Sequence, residues 1–133
     1  MQMRIAFPGG RRVSAEFGGF EVTTDQSVKD GGEAKAPTPF ELFLSSLGTC
    51  AGFYVLAYCQ ARKIPVDGIE LRQNDEWDKD GHRLSRVHLS IELPSSFPSQ
   101  FRDGVRRAAE ACAVKKTIVN PPEIVVEIGA VAE

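Results

Sequence analysis

Residues 38–62 read TPFELFLSSLGTCAGFYVLAYCQAR, and the reading of this stretch decides the fold. Thr38 can serve as the helix N-cap. Pro39 follows at the first helical position, where a missing N–H is harmless, and Glu41 stands three residues after Thr38 as the partner of a capping box. The next proline is Pro65, so the spacing predicts one helix from Pro39 to about Arg62, some ~24 residues and ~36 Å long. Nearly every position in it is apolar or small. Such a helix is buried on most sides. In a chain of 133 residues it must be covered by a sheet, by another helix or by a second subunit.

Working outward, residues 3–25 read as strands. MRIAF is a short apolar-polar run, and PGGRR is a turn with two glycines. RVSAEF sets Val13, Ala15 and Phe17 against Ser14 and Glu16, the period of a half-buried strand. Gly18-Gly19 signals a hairpin turn, and FEVTTD continues with the same period. DQSVKDGGEAKAP (25–37) is polar and Gly-rich and reads as an exposed loop. Beyond the long helix, residues 66–77 and 82–93 read as two strands around the turn Asp78-Lys79-Asp80-Gly81. Residues 99–111 carry Phe101, Val105, Ala108, Ala109 and Cys112 at helical spacing, and residues 113–119 extend as a further helical turn or two. Asn120-Pro121-Pro122 stops that run, and EIVVEI reads as a last strand. The order is βββ-α-ββ-α-β. Grouped rather than alternating strands point to an α+β fold with a mostly antiparallel sheet.

A length of 133 residues fits one domain, 1–133, with enough buried surface to need no disulfide or metal. Lys and Arg total 16 against 18 Asp and Glu, a net charge of −2. No bulk basic charge exists to carry nucleic-acid binding or to hold an anionic membrane surface. No apolar run is expected to approach the ~18–20 residues of a membrane span. MQMRIAFPGG lacks the apolar core of a signal peptide, so the expected compartment is the cytoplasm.

The cysteines number three: Cys50, Cys59 and Cys112. An odd count argues against a disulfide framework, and in a reducing compartment thiols are packing residues, metal ligands or reactive groups. No CxxC occurs and the only histidines are His82 and His88, so neither a metal nor a cofactor is expected. Cys50 and Cys59 point to opposite sides of the long helix, about 13 Å apart along its axis, too far to bridge. The feasible intrachain partner of either is Cys112. If a new helix starts after Cys112, free N–H groups there would favour a thiolate, with Lys115 and Lys116 adding positive charge. The plain alternative is that each cysteine is a small buried hydrophobe.

APTPFELFLSSLGTCAGFYVLAY, followed some sixty residues later by RRAAEACAVKKTIVNPPEIVV, resembles the OsmC/Ohr family of osmotically inducible and organic-hydroperoxide-resistance proteins. The likeness covers nearly the whole chain. It implies an intertwined homodimer in which two long central helices are wrapped by sheets, so that a second subunit covers the apolar helix. It also implies a thiol-dependent peroxidase, an antioxidant stress-response enzyme reducing organic hydroperoxides. By position, Cys50 would be the peroxidatic thiol and Cys112 the resolving one, with an external dithiol, lipoyl-type or similar, as reductant. The family's activating Arg lies in a Gly-Gly-Arg-like turn. Here Gly9-Gly10-Arg11-Arg12 offers it, Arg11 being the closest match, and a Glu at the helix start, here Glu41, would orient it.

The chain departs from the family pattern at two points. Phe40 stands directly after the helix-starting proline, where the peroxidases carry Glu, and Cys112 is followed by Ala113 rather than proline. The sequence therefore resembles an outlying OsmC-like subgroup. A second expectation goes with these departures: a non-catalytic dimer that binds small molecules or senses redox state.

Overall fold

The structure, a computed structural model, describes residues 1–129. It divides into two compact units, residues 1–46 and the chain from Leu47 onward. The first unit opens with an antiparallel sheet of β1 (Arg4–Gly9), β2 (Arg12–Phe17) and β3 (Phe20–Thr24) in that order. The turns fall at Gly10-Arg11 and Gly18-Gly19, and Phe17 faces Phe20 across the second hairpin. Ser14, not its apolar neighbours, is the buried residue of β2 at 3% exposure, while Val13, Ala15 and Phe17 are half-buried.

Residues 25–37 are more ordered than an exposed loop. They contain a 3-10 turn (Val28–Asp30) capped by Ser27, and they close on the carboxylate of Asp25, which is 1% exposed. Asp25 accepts from the backbone N–H of Gln26 (2.8 Å), Glu33 (3.2 Å) and Lys35 (3.2 Å). These bonds, that to Gln26 first, hold its carboxyl below the usual carboxylate range. Gly32 is required at this point, because a Cβ there would collide with the Gln26 carbonyl and the Asp25 carboxylate.

Helix α1 (Pro39–Ala61) begins where the capping box places it. Glu41 N–H donates to Thr38 Oγ1 at 3.2 Å, and Thr38 N–H donates to Glu41 Oε2 at 2.8 Å. The helix has 23 residues with a window of mean hydropathy 1.5, enough by length and composition to cross a membrane. This corrects the expectation that no apolar run approaches such a span. Ser45, Ser46 and Thr49 break the run but leave the average high.

Among the described residues one stripe of the helix is buried: Leu47, Ala51, Val55 and Cys59, spaced by four. Val55 and Cys59 form a core with Ile64, Phe97 and Val105, flanked by Ile69, Leu71, Ile91 and Leu93. Burying Val55 and Val105, 2% and 0% exposed, stabilises the unit by roughly 1.5–3 kcal/mol each. Phe43, Phe53 and Leu56 remain exposed, so the expectation of burial on most sides does not hold within one chain.

The core is covered by the antiparallel pair β4 (Glu70–Trp77) and β5 (Leu84–Glu92) and by α2 (Arg102–Glu110). β4 starts at Glu70 rather than residue 66, because Val66 accepts from Ile69 N–H (3.0 Å) in a turn with Gly68 at φ 82°. A 3-10 turn (Ser99–Phe101) precedes α2, and α3 (Ala113–Val119) follows it. The order βββ-α-ββ-α stands. The expected last strand does not form. Residues 121–129 pair with nothing among the described residues, and Ile124, Val125, Val126 and Ile128 are 83%, 68%, 92% and 102% exposed. A strand exists only with a ladder partner, and this segment finds none among the described residues.

Candidate functional site

Cys50 and Cys112 come together in the second unit. Cys112 breaks the chain between α2 and α3, with extended backbone at φ −49°, ψ 124°, and is the N-cap residue of α3. The first N–H groups of a helix have no partner within it. Those of Val114 and Ala113 point instead at the sulfur of Cys50. The Val114 N–H, helped by the Cys112 thiol and the Ala113 N–H, holds the Cys50 thiol below its usual range, and partial burial opposes this only in part.

Cys112 is buried, at 2% exposure. Burial pushes its thiol up, and so does its role as donor to Cys50. Its S–H has two acceptors in reach, the Cys50 sulfur and the Leu47 carbonyl at 3.9 Å. The pair is thus asymmetric: the donors around Cys50 lower its pKa, while burial raises that of Cys112. Both sulfurs are free thiols. Cys59, the third, is fully buried in the core, and burial pushes its thiol up.

The other two residues singled out from sequence belong to the first unit. Arg11 is exposed at the β1–β2 turn, and its side chain lies over Gly31, whose added Cβ would sit 3.1 Å from Arg11 Nε. Its neighbour Arg12 donates to the Gly9 carbonyl at 3.4 Å, and its charge helps hold the carboxyls of Asp25 and Glu33 low. Glu41 is engaged in the capping box described above.

The groups that sequence reasoning missed are main-chain donors and a loop anchor. The N–H groups of Ala113 and Val114 carry no residue-type signal. Asp25 carried one, an Asp closing a strand before a Gly-Gly loop. Among the described residues no group of three or more His, Cys, Asp or Glu is placed to hold a metal ion.

Residues 32–127 match the family of OsmC-like proteins. The chain belongs to that family. Its fold is shared with solved OsmC-like structures at low sequence identity. A Psychrobacter arcticus protein, assigned provisionally by name to osmotic stress and detoxification, is 23% identical, with a TM-score of 0.74 over 88% of this chain and 87% of its own. An OsmC-like protein from Mycoplasma pneumoniae is 18% identical, with a TM-score of 0.63 over 83% and 80%. An organic hydroperoxide resistance protein OsmC from Legionella pneumophila is 17% identical, with a TM-score of 0.54 over 89% of both chains. None of the curated proteins compared with it matches the chain.

Proposed function

We propose that this OsmC-like protein is a thiol peroxidase that reduces organic hydroperoxides through Cys50 and Cys112. The observation that carries the reading is the asymmetric thiol pair: Cys50, partly open and beside the main-chain donors of Val114 and Ala113 that lower its pKa, next to Cys112, buried and raised. The Cys50 thiolate attacks the terminal oxygen of R–O–OH. The S–O bond forms as the O–O bond breaks, giving Cys50 sulfenic acid and an alkoxide that takes a proton to leave as ROH. The Cys112 sulfur then displaces hydroxide from Cys50, with loss of its own proton, yielding a disulfide and water. An external dithiol, lipoyl-type or similar, reduces the disulfide by two exchange steps and is itself oxidised. In this reading Arg11 stabilises the charge on the thiolate and the leaving alkoxide, and Glu41 orients it.

The acting unit is a homodimer. The exposed Phe53 and Leu56 of α1, and the unpaired Ile124–Ile128 segment, support a second copy as their cover. Free thiols fit a reducing cytoplasmic compartment.

A second reading is favoured by one observation: Glu41 is already engaged by Thr38, and Phe40 stands where the peroxidases carry Glu. In that reading the dimer binds small molecules or senses oxidation without turning over. A steady-state assay separates the two. Consumption of many equivalents of cumene hydroperoxide per protomer with dihydrolipoamide supports the peroxidase. Consumption that stops at one equivalent per protomer, with dihydrolipoamide or dithiothreitol present in excess, supports the sensor.

A further inference from the structure

A cavity of about 370 Å³ lies at the C-terminal end of α1, within the second unit. Its size falls in the range of about 300–1,000 Å³ typical of small-ligand sites. The floor is apolar: Ile64 and Phe97 are 8% and 6% exposed, and Phe101 flanks them. The walls are stiff. Pro65, Pro94 and Pro98 fix three φ angles, and two turns lock the segment, Phe97 N–H to the Pro94 carbonyl (2.9 Å) and Phe101 N–H to the Pro98 carbonyl (3.1 Å). A cavity walled this way is formed before any ligand arrives.

The rim carries an unusual residue. Helix α1 ends in a Schellman motif, with Ile64 N–H on the Cys59 carbonyl (2.9 Å) and Lys63 N–H on the Gln60 carbonyl (3.1 Å). The motif puts Lys63 in the left-handed region at φ 56°, a position glycine fills without strain. A lysine there is held at an energetic cost, at the mouth of a cavity. Among the described residues Lys63 has no ion-pair partner. Arg62, also on the rim, is held by Tyr58: its guanidinium stacks on the ring at 3.6 Å and donates to the Tyr58 carbonyl at 3.1 Å. Asp67 is the one acid among the lining residues, against two cations.

We propose that this cavity binds a small amphipathic anion, a carboxylate on an aromatic or aliphatic body, with the body on Ile64, Phe97 and Phe101 and the carboxylate on Lys63. The site is separate from the thiol pair, since Lys63 lies about 20 Å beyond Cys50 along the helix axis.

The test is an NMR titration of the 15N-labelled full chain with 2-naphthoate, beside its neutral analogue 2-naphthamide. We expect amide shifts centred on Lys63, Ile64, Phe97 and Phe101, and affinity for the acid about tenfold above that for the amide. Lys63→Gly separates binding from folding. Glycine suits the left-handed position, so the melting temperature should rise while naphthoate affinity falls about tenfold, to that of the amide. Lys63→Arg should keep most of the affinity. Equal affinity for acid and amide would overturn the proposal. So would an unchanged naphthoate affinity in a stabilised Lys63→Gly, or shifts centred on Cys50.

Discussion

Cys50 and Cys59 stand nine residues apart on one helix and face opposite sides of it. Around Cys50 the chain aims unpaired main-chain N–H groups and a neighbouring thiol at the sulfur, and leaves it partly open to solvent. Around Cys59 it packs Val55, Ile64, Phe97 and Val105, and burial outweighs the one opposing influence, the charge of Arg62. The same residue on the same helix is therefore pushed in opposite directions. The difference comes from what faces each stripe: for Cys50 a helix start, for Cys59 a hydrophobic core. A thiol's pKa follows the donors and the burial around it, and α1 carries both directions.

The largest effect we expect follows from removing the sulfur on the donor side. Cys50→Ser should lower peroxide turnover by on the order of 10³-fold or more in a coupled dithiol assay. A variant that retains wild-type turnover would place the chemistry elsewhere. Next comes Cys112→Ser. It should still consume one equivalent of peroxide per protomer and then halt at Cys50 sulfenic acid, which dimedone traps and mass spectrometry detects.

A smaller but directly comparative effect concerns pH. A lowered Cys50 pKa means that its thiolate, the species that reacts, is present at lower pH than in a free cysteine; raised values at Cys59 and Cys112 mean the reverse. Alkylation by iodoacetamide, followed by peptide mapping, should show Cys50 labelling with a midpoint below that of an ordinary free cysteine and the other two above it. Coincident profiles for all three would erase the distinction between the two stripes. The smallest effect belongs to Cys59→Ala. It should leave turnover unchanged and lower stability by about 1 kcal/mol in urea unfolding, the loss of one buried sulfur from a tight core.

These two stripes were not equally legible in the sequence. Thr38, Pro39 and Glu41 announce the helix start because a capping box is a local device, and the structure forms it bond for bond. The closeness of Cys50 and Cys112 could be narrowed by spacing and was completed by the family resemblance. The amides of Ala113 and Val114 could not be read as donors to Cys50, since every residue but proline has an N–H and only tertiary placement aims it. Asp25 was hidden for a related reason. A polar Gly-rich segment looks solvated until one carboxylate gathers three of its N–H groups. The EIVVEI run misled because alternation and β-branching describe what a strand needs on its faces, while its edges need a partner that one chain does not supply.

The most direct test of the thiol-pair account is a titration of the fully reduced protein with cumene hydroperoxide, counting free thiols and mapping the product by mass spectrometry. We expect two of the three thiols to be lost with one equivalent of peroxide per protomer. The product should carry a Cys50–Cys112 disulfide that dihydrolipoamide reopens, and Cys59 should stay reduced throughout. Three free thiols surviving an excess of peroxide, or a disulfide that includes Cys59, would contradict it.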